Sequence, residues 1–398
     1  METIGGIVAG WLADGSGRPL ERERMVEIRD GRIHCIRPVD GADYRGPGII
    51  DWSDGMVIPG LIDSHVHLFM SGTPDPTVRK RQLDAPFSDL KAAMARHIRQ
   101  HLNAGVVAVR DGGDYGGHAL HYRETCFDTG QTPIEIRVAG KAWRMQGRYG
   151  RLIGRPAPAG EGLAGAIRNC TDGIDHVKMV NSGLNSLRVF GKQTRPQFKL
   201  NALAGAVQAA TARGWPVMVH ANGETPVREA IMAGCRSIEH GFFMGRDGLE
   251  RLAEGAVSWV PTACTMKGYV DHSDAGSIEN AISMRNLDHQ LEQLRQARSL
   301  GVDVVVGTDA GTIGVHHGWS LKDEMALLME AGFSLAETVR CASLNGARLL
   351  GLTDLGVLAP GRQATMVALE GGPAHFPGNL DPPGMLLSAG RVIFNHAF

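Results

Sequence analysis

Two histidines one residue apart, His65 and His67, follow the apolar run Val57-Ile58-Pro59-Gly60-Leu61-Ile62-Asp63-Ser64. On an extended segment residues i and i+2 share a face, so both imidazoles can offer a nitrogen to one cation. Sixteen histidines in 398 residues make chance pairs of this kind common, so the pair gains meaning only from partners downstream. Four further positions supply them: Lys178, His220, His240 and Asp309. Taken singly, each has a plain reading. Lys178 would be a salt-bridged lysine, His220 and His240 satisfied core histidines, and Asp309 a cap before the Gly-rich turn Ala310-Gly311-Thr312-Ile313-Gly314. In this order, at the ends of short apolar runs, they read together as a metal-ligand set.

Lys178 is the most demanding member. Val177 and Met179 flank it, so strand alternation turns its side chain toward the opposite face, the packed interior of a parallel sheet. Burial of an ammonium there is costly unless it is paired, and favours the neutral amine. A neutral lysine amine can add carbon dioxide to give a carbamate, whose two oxygens can bridge two divalent ions.

The elements that must position these residues follow from the chain's texture. Apolar runs at 61–67, 106–110, 134–139, 176–180, 216–220, 237–240, 258–262 and 302–309 read as strands alternating with helical patterns. Eight such strands can close a (β/α)8 TIM barrel, where active residues sit at the C-terminal strand ends. Five of the eight strands deliver a candidate ligand. Ser88 is expected to cap a helix over 89–103 ahead of Gly105, Pro226 to open one over 227–233, and Ser334 to open one over 335–350. The stretch 144–161 reads as one long loop over the barrel mouth. Short strands at 4–9, 25–29, 32–36 and 56–58, with the Asp30-Gly31 turn, resemble runs at 364–369 and 385–394. Residues 1–58 plus 359–398 are therefore expected to form a small β-sandwich domain, and 59–358 the barrel.

Composition bounds the role. A formal net charge of −1 with scattered basic residues argues against nucleic acid. No signal-peptide pattern or membrane span is read, and the six cysteines are dispersed, so a cytoplasmic protein with reduced thiols and no membrane role is expected. The oligomeric state is left open, a homo-oligomer included.

The motifs Pro59-Gly60-Leu61-Ile62-Asp63-Ser64-His65-Val66-His67, Val177-Lys178-Met179, Val219-His220-Ala221, Ile238-Glu239-His240-Gly241 and Gly307-Thr308-Asp309-Ala310-Gly311 resemble the amidohydrolase superfamily. With the segment from Glu324 to Gly332, they look most like its prolidase-like and imidazolonepropionase-like branch. The resemblance implies a (β/α)8 hydrolase with two divalent ions, zinc first among them. It implies that His65, His67 and Asp309 hold the more buried ion, His220 and His240 the more exposed one, and carboxylated Lys178 both. A water or hydroxide between the ions would be the nucleophile, with Asp309 carrying its proton to the leaving amine.

The chain departs from many relatives after the third strand, where Gln146-Gly147-Arg148-Tyr149-Gly150 replaces a Gly-Gly-His-Gly element. Arg144, Arg148 and Tyr149 are the candidates there for holding a substrate carboxylate, against a plain reading as solvated loop residues. Three functions follow for a small-molecule substrate. The first is hydrolysis of an amide bond in a dipeptide of Xaa-Pro type or an N-acyl amino acid. The second is a cyclic amide or amidine hydrolase or deaminase, and the third a non-catalytic scaffold. Glu224, four residues after His220 rather than three, and the presence of Lys178 favour two ions over a one-metal deaminase site.

Overall fold

The computed structural model describes residues 4–128 and 130–396. Both chain ends meet in one sheet. Gly6–Leu12, Glu21–Arg29, Arg32–Pro38 and Ile49–Pro59 join Met366–Leu369, Met385–Ser388 and Arg391–Asn395 in a seven-stranded array. Ile7 pairs with Ile50 in parallel and Ile58 with Val367 antiparallel, which stitches the C-terminal strands onto the N-terminal ones. Asp30 and Gly31, at φ 51° and 73°, make the tight turn that their sequence signals. Alternation buries Ile7, Val26, Ile28, Ile33, Val57 and Met366 in a local core. The hydrogen bonds thus run through a single sheet of seven strands instead of dividing these strands between two.

Between the chain ends the strands are parallel. Leu61–Val66, Val106–Asp111 and Glu135–Val138 form a three-stranded sheet. Ser258–Val260, Ser237–His240, Val217–Ala221, Val177–Val180, Ala142–Trp143 and Gly154–Arg155 form a six-stranded one, in that order. The last two strands lie in or beside the stretch predicted as one long loop.

The eighth predicted strand, 302–309, differs from expectation by forming isolated bridges rather than a ladder. Val304 bridges Trp259, and Ala310 bridges Val66, so this segment links the end of one parallel sheet to the start of the other. The local cause is close packing. A Cβ on Gly307 would lie 2.5 Å from Val260 Cγ1 and 2.9 Å from the His65 amide nitrogen, and Asp63 draws both the amide and the hydroxyl of Thr308 onto its carboxylate.

Helices cover the strands. Phe87–Asn103 begins after Pro86, so Ser88 lies inside its first turn and does not cap it. Glu224–Met232 starts two residues ahead of Pro226. Ser334 and Glu337 form a reciprocal capping box, but the helix predicted over 335–350 is two, Leu335–Ala342 and Leu344–Leu350. Ser343 leaves helical geometry (φ −135°, ψ −81°) and turns its hydroxyl back to the Val339 carbonyl. No helix among the described residues is long and apolar enough to cross a membrane.

Candidate metal centre

The C-terminal ends of the parallel strands bring the polar residues together. Leu61–Val66 delivers His65, and His67 follows it. The backbone amide of His67 donates to the Ala310 carbonyl at 2.8 Å, and that of Asp309 to the His65 carbonyl at 2.7 Å. These two bonds set Asp309 beside both imidazoles. Its Oδ1 lies 3.3 Å from His67 Nε2 and 3.5 Å from His65 Nε2. Ligand atoms of these three residues all fall within 4.8 Å of one another.

The parallel register extends the cluster. Val180 stands opposite His220, and Ala221 opposite His240. The His65 and His240 rings are 5.0 Å apart and the His220 and His240 rings 4.6 Å. Lys178 points among them, 1% exposed. His240 (φ 68°) and Asp309 (φ 61°) both adopt the left-handed backbone region that non-glycine residues rarely occupy. Such strain at the strand ends turns these side chains inward and collects at functional sites.

Hydrogen bonds fix which nitrogen faces inward. His67 Nδ1 donates to the Gly113 carbonyl at 2.8 Å, which leaves the Nε2 lone pair toward Asp309. Glu239, fully buried, accepts from His65 Nδ1 at 2.8 Å and so exposes the His65 Nε2 lone pair in the same way. The Arg110 guanidinium holds the other Glu239 oxygen at 2.9 Å and donates to the Ser64 carbonyl at 2.7 Å, while Ser237 donates to the same carboxylate. His220 Nε2 donates to the Gly183 carbonyl at 3.1 Å, which leaves Nδ1 as its free nitrogen. His240 Nδ1 pairs with the Thr262 hydroxyl at 2.7 Å.

Electrostatics keep these groups in ligand form. Burial, then the Lys178 charge, hold His67 down at about 4 and His220 at about 3; burial drives His65 and His240 well below the usual imidazole range. Burial also lowers the Lys178 ammonium, against the pull of Glu239 and Asp309, and raises the Asp309 carboxyl.

Two observations bear on whether a cation fits. His65 Nε2, Lys178 Nζ and Asp309 Oδ1 are buried atoms with no hydrogen-bond partner, an arrangement that costs free energy unless something binds there. Gly112 leaves a hollow in front of them. A Cβ at that position would sit 2.8 Å from His67 Cε1 and 3.2 Å from both His65 Nε2 and His67 Nε2, so glycine keeps the space beside both ligand nitrogens clear. The donor set of imidazoles and a carboxylate suits zinc, manganese or cobalt alike.

Of the three predicted loop contacts, Tyr149 reaches the cluster, its ring 5.3 Å from that of His220. Arg144 donates from Nε to the Gly154 carbonyl and from Nη1 to the Met145 carbonyl, and exposed Arg148 donates from Nη2 to the Arg195 carbonyl. Neither makes a hydrogen bond or ion pair with the cluster among the described residues. Sequence reasoning gave no role to Arg110, although a lone cation inside Val106–Asp111, otherwise apolar up to its final Asp111, is the signal that could have found it.

A sequence model of the Amidohydrolase family matches residues 56–393. Ochratoxinase from Aspergillus niger is 24% identical over 405 residues, covering 92% of this chain and 81% of that protein. An imidazolonepropionase from Nocardia farcinica is 25% identical over 395 residues, covering 94% and 91%. Among solved structures, a Xaa-Pro dipeptidase with methionine bound in its active site superposes with a TM-score of 0.82 at 25% identity, covering 98% of this chain and 99% of that one.

Proposed function

The chain belongs to the amidohydrolase family, a family of hydrolases acting on C–N bonds, and on that premise we propose that it cleaves the amide bond of a dipeptide of Xaa-Pro type or an N-acyl amino acid. The observation that carries this reading is Lys178. Its buried amine has no hydrogen-bond partner and forms no ion pair with a carboxylate among the described residues, although Glu239 and Asp309 both act on its charge.

In this reading His65, His67 and Asp309 would hold one ion, His220 and His240 a second, and Lys178, as its carbamate, would complete the set. When bound, the ions, zinc by expectation, acidify water and polarise the scissile carbonyl. The residues do the rest. Asp309, its carboxyl raised by burial, takes one proton from the attacking water and delivers it to the nitrogen as the C–N bond breaks. The water oxygen ends on the acyl carbon, and the amine leaves neutral. Glu239 and Arg110 keep His65 in the tautomer that points Nε2 at the site. Tyr149, beside His220, lines the approach to the centre.

The same proposal includes a closed (β/α)8 barrel over 59–358, supported by the bridges at Val304 and Ala310, and a separate small β domain from 1–58 and 359–398 built on the seven-stranded sheet. It places a small-molecule enzyme in the cytoplasm, consistent with six free cysteines. A second reading, hydrolysis of a cyclic amide, is favoured by the likeness to imidazolonepropionase.

Metal-loaded enzyme screened against dipeptides, N-acyl amino acids, cyclic amides and aminated heterocycles separates the readings. Release of a free amino acid from the first two classes is expected. Ammonia release from a heterocycle, with no peptidase or acylase activity, would overturn it.

A further inference from the structure

Near Asp309 stand three polar heads that the sequence reading did not join. Arg79, in the helix Pro76–Asp84, crosses to the turn after Asp309. Its Nη1 donates to the Gly311 carbonyl at 3.0 Å and reaches the Thr73 carbonyl at 3.4 Å. Among the described residues no carboxylate pairs with it, and its Nε and Nη2 make no hydrogen bond. Half-buried guanidinium groups left in this state are uncommon, because the desolvated charge asks for an anion.

Tyr269 lies on the helix Cys264–His272. That helix packs tightly under the same turn: a Cβ on Gly268 would lie 2.6 Å from the Ile313 carbonyl oxygen. Its phenol is pushed up by burial and by Asp309, and Arg79 is the cation that opposes this. Tyr149 comes to the same cluster beside His220, its ring 5.3 Å from that imidazole. Neither phenol donates to the protein among the described residues.

We propose that Arg79 and Tyr269, with Tyr149 facing them, form the subsite that binds the free carboxylate on the leaving-amine side of the substrate. That role passes from Arg144 and Arg148, which hold the carbonyls of Gly154, Met145 and Arg195, to Arg79, whose carbonyl partner Gly311 lies on the turn that carries Asp309. The inference rests on the amide-hydrolase reading for the meaning of "leaving-amine side" and narrows it. The substrate is an acyl amino acid or dipeptide with an ionised C-terminus, and the product that departs is an amino acid. Arg79 is a specificity-determining residue in this account, since its anchored Nη1 fixes where the carboxylate must sit and hence which amide reaches Asp309.

The test compares matched pairs, each N-acetyl-L-amino acid against its own carboxamide, with metal-loaded wild type and with R79Q. Turnover gives kcat and KM separately, and calorimetric binding of the same pairs supplies a readout that needs no hydrolysis. Wild type should prefer the acid of each pair. In R79Q that preference should fall by about thirtyfold or more, through KM and Kd rather than kcat, as for loss of a desolvated charge pair. R148Q and R144Q should keep the wild-type preference. Absence of an acid preference in wild type, an unchanged preference in R79Q, or its collapse in R148Q instead would overturn the proposal. Acid-selective binding lost in R79Q without hydrolysis of any pair would overturn the amide-hydrolase reading while leaving the carboxylate subsite standing.

Discussion

At the scale of single residues, the centre is a set of polar atoms whose burial would be hard to sustain without a ligand. Glu239 shows how the protein directs them. It is buried between Arg110 and His65, so its carboxylate is neutralised on one side and sets a tautomer on the other. Glu239→Gln should weaken metal binding on the order of ten- to a hundredfold, measured by competition with a chelator. Arg110→Met, which strands the buried carboxylate, should cost about 3–5 kcal/mol in chemical unfolding. Gly112→Ala tests the hollow itself: the added methyl should displace metal from His65 and His67 with the fold retained, read as lost stoichiometry with an unchanged circular dichroism spectrum. His65, His67, Lys178, His220, His240 and Asp309 could be picked out from residue type and strand-end position alone. Arg110 could not, because its partner Glu239 is fixed by a pairing across the interior that no local pattern records. For Arg144 and Arg148 the sequence shows the charge of a loop arginine but not the backbone carbonyl it holds.

At the scale of elements, the strand bearing His65 is braced from behind by the helix Phe87–Asn103. His97 Nδ1 donates to the Leu68 carbonyl at 2.8 Å, and His317 Nε2 donates to the Met70 carbonyl at 2.7 Å. His317 Nδ1 must then accept, so His101 Nε2 donates to it at 3.0 Å. All three rings are buried and held neutral, His97 down at about 4 and His101 at about 3, chiefly by burial. Unfolded histidines protonate near 6.5, so below that pH the unfolded chain takes up protons that the folded one refuses. The stability these rings carry is complete above that value and is lost as pH falls toward 4 and then 3. Urea midpoints at about pH 7.5 and about pH 5 should therefore differ, and His101→Gln should shrink the difference. Elements with strong local signals, such as the Asp30-Gly31 turn and the Ser334–Glu337 box, were legible. Ser334→Ala should accordingly cost about 1 kcal/mol in the same unfolding assay. The break at Ser343 was not legible, because a serine hydroxyl bonding back to Val339 looks in sequence like any serine in a helix.

At the scale of the whole molecule, two parallel sheets meet through the segment around Asp309, and the chain ends share a third sheet. The alternation of apolar runs and helical patterns disclosed this order. It did not disclose that residues 302–309 would contact their neighbours through isolated bridges, since Gly307 and the Asp63–Thr308 bonds set a tertiary fit rather than a propensity. Because candidate ligands come from both parallel sheets, metal bound there joins them. Chelation should lower the thermal midpoint, and added zinc should restore it in a concentration-dependent way, by about 2.7 kcal/mol at a hundredfold excess over Kd. The central claim is that Lys178 completes a centre for two ions. Metal analysis of protein expressed with bicarbonate and zinc, wild type beside Lys178→Ala, tests it most directly. The account predicts two ions per wild-type chain and a variant that loses at least one of them together with its hydrolytic activity. A Lys178→Ala protein with full metal content and full activity would contradict it.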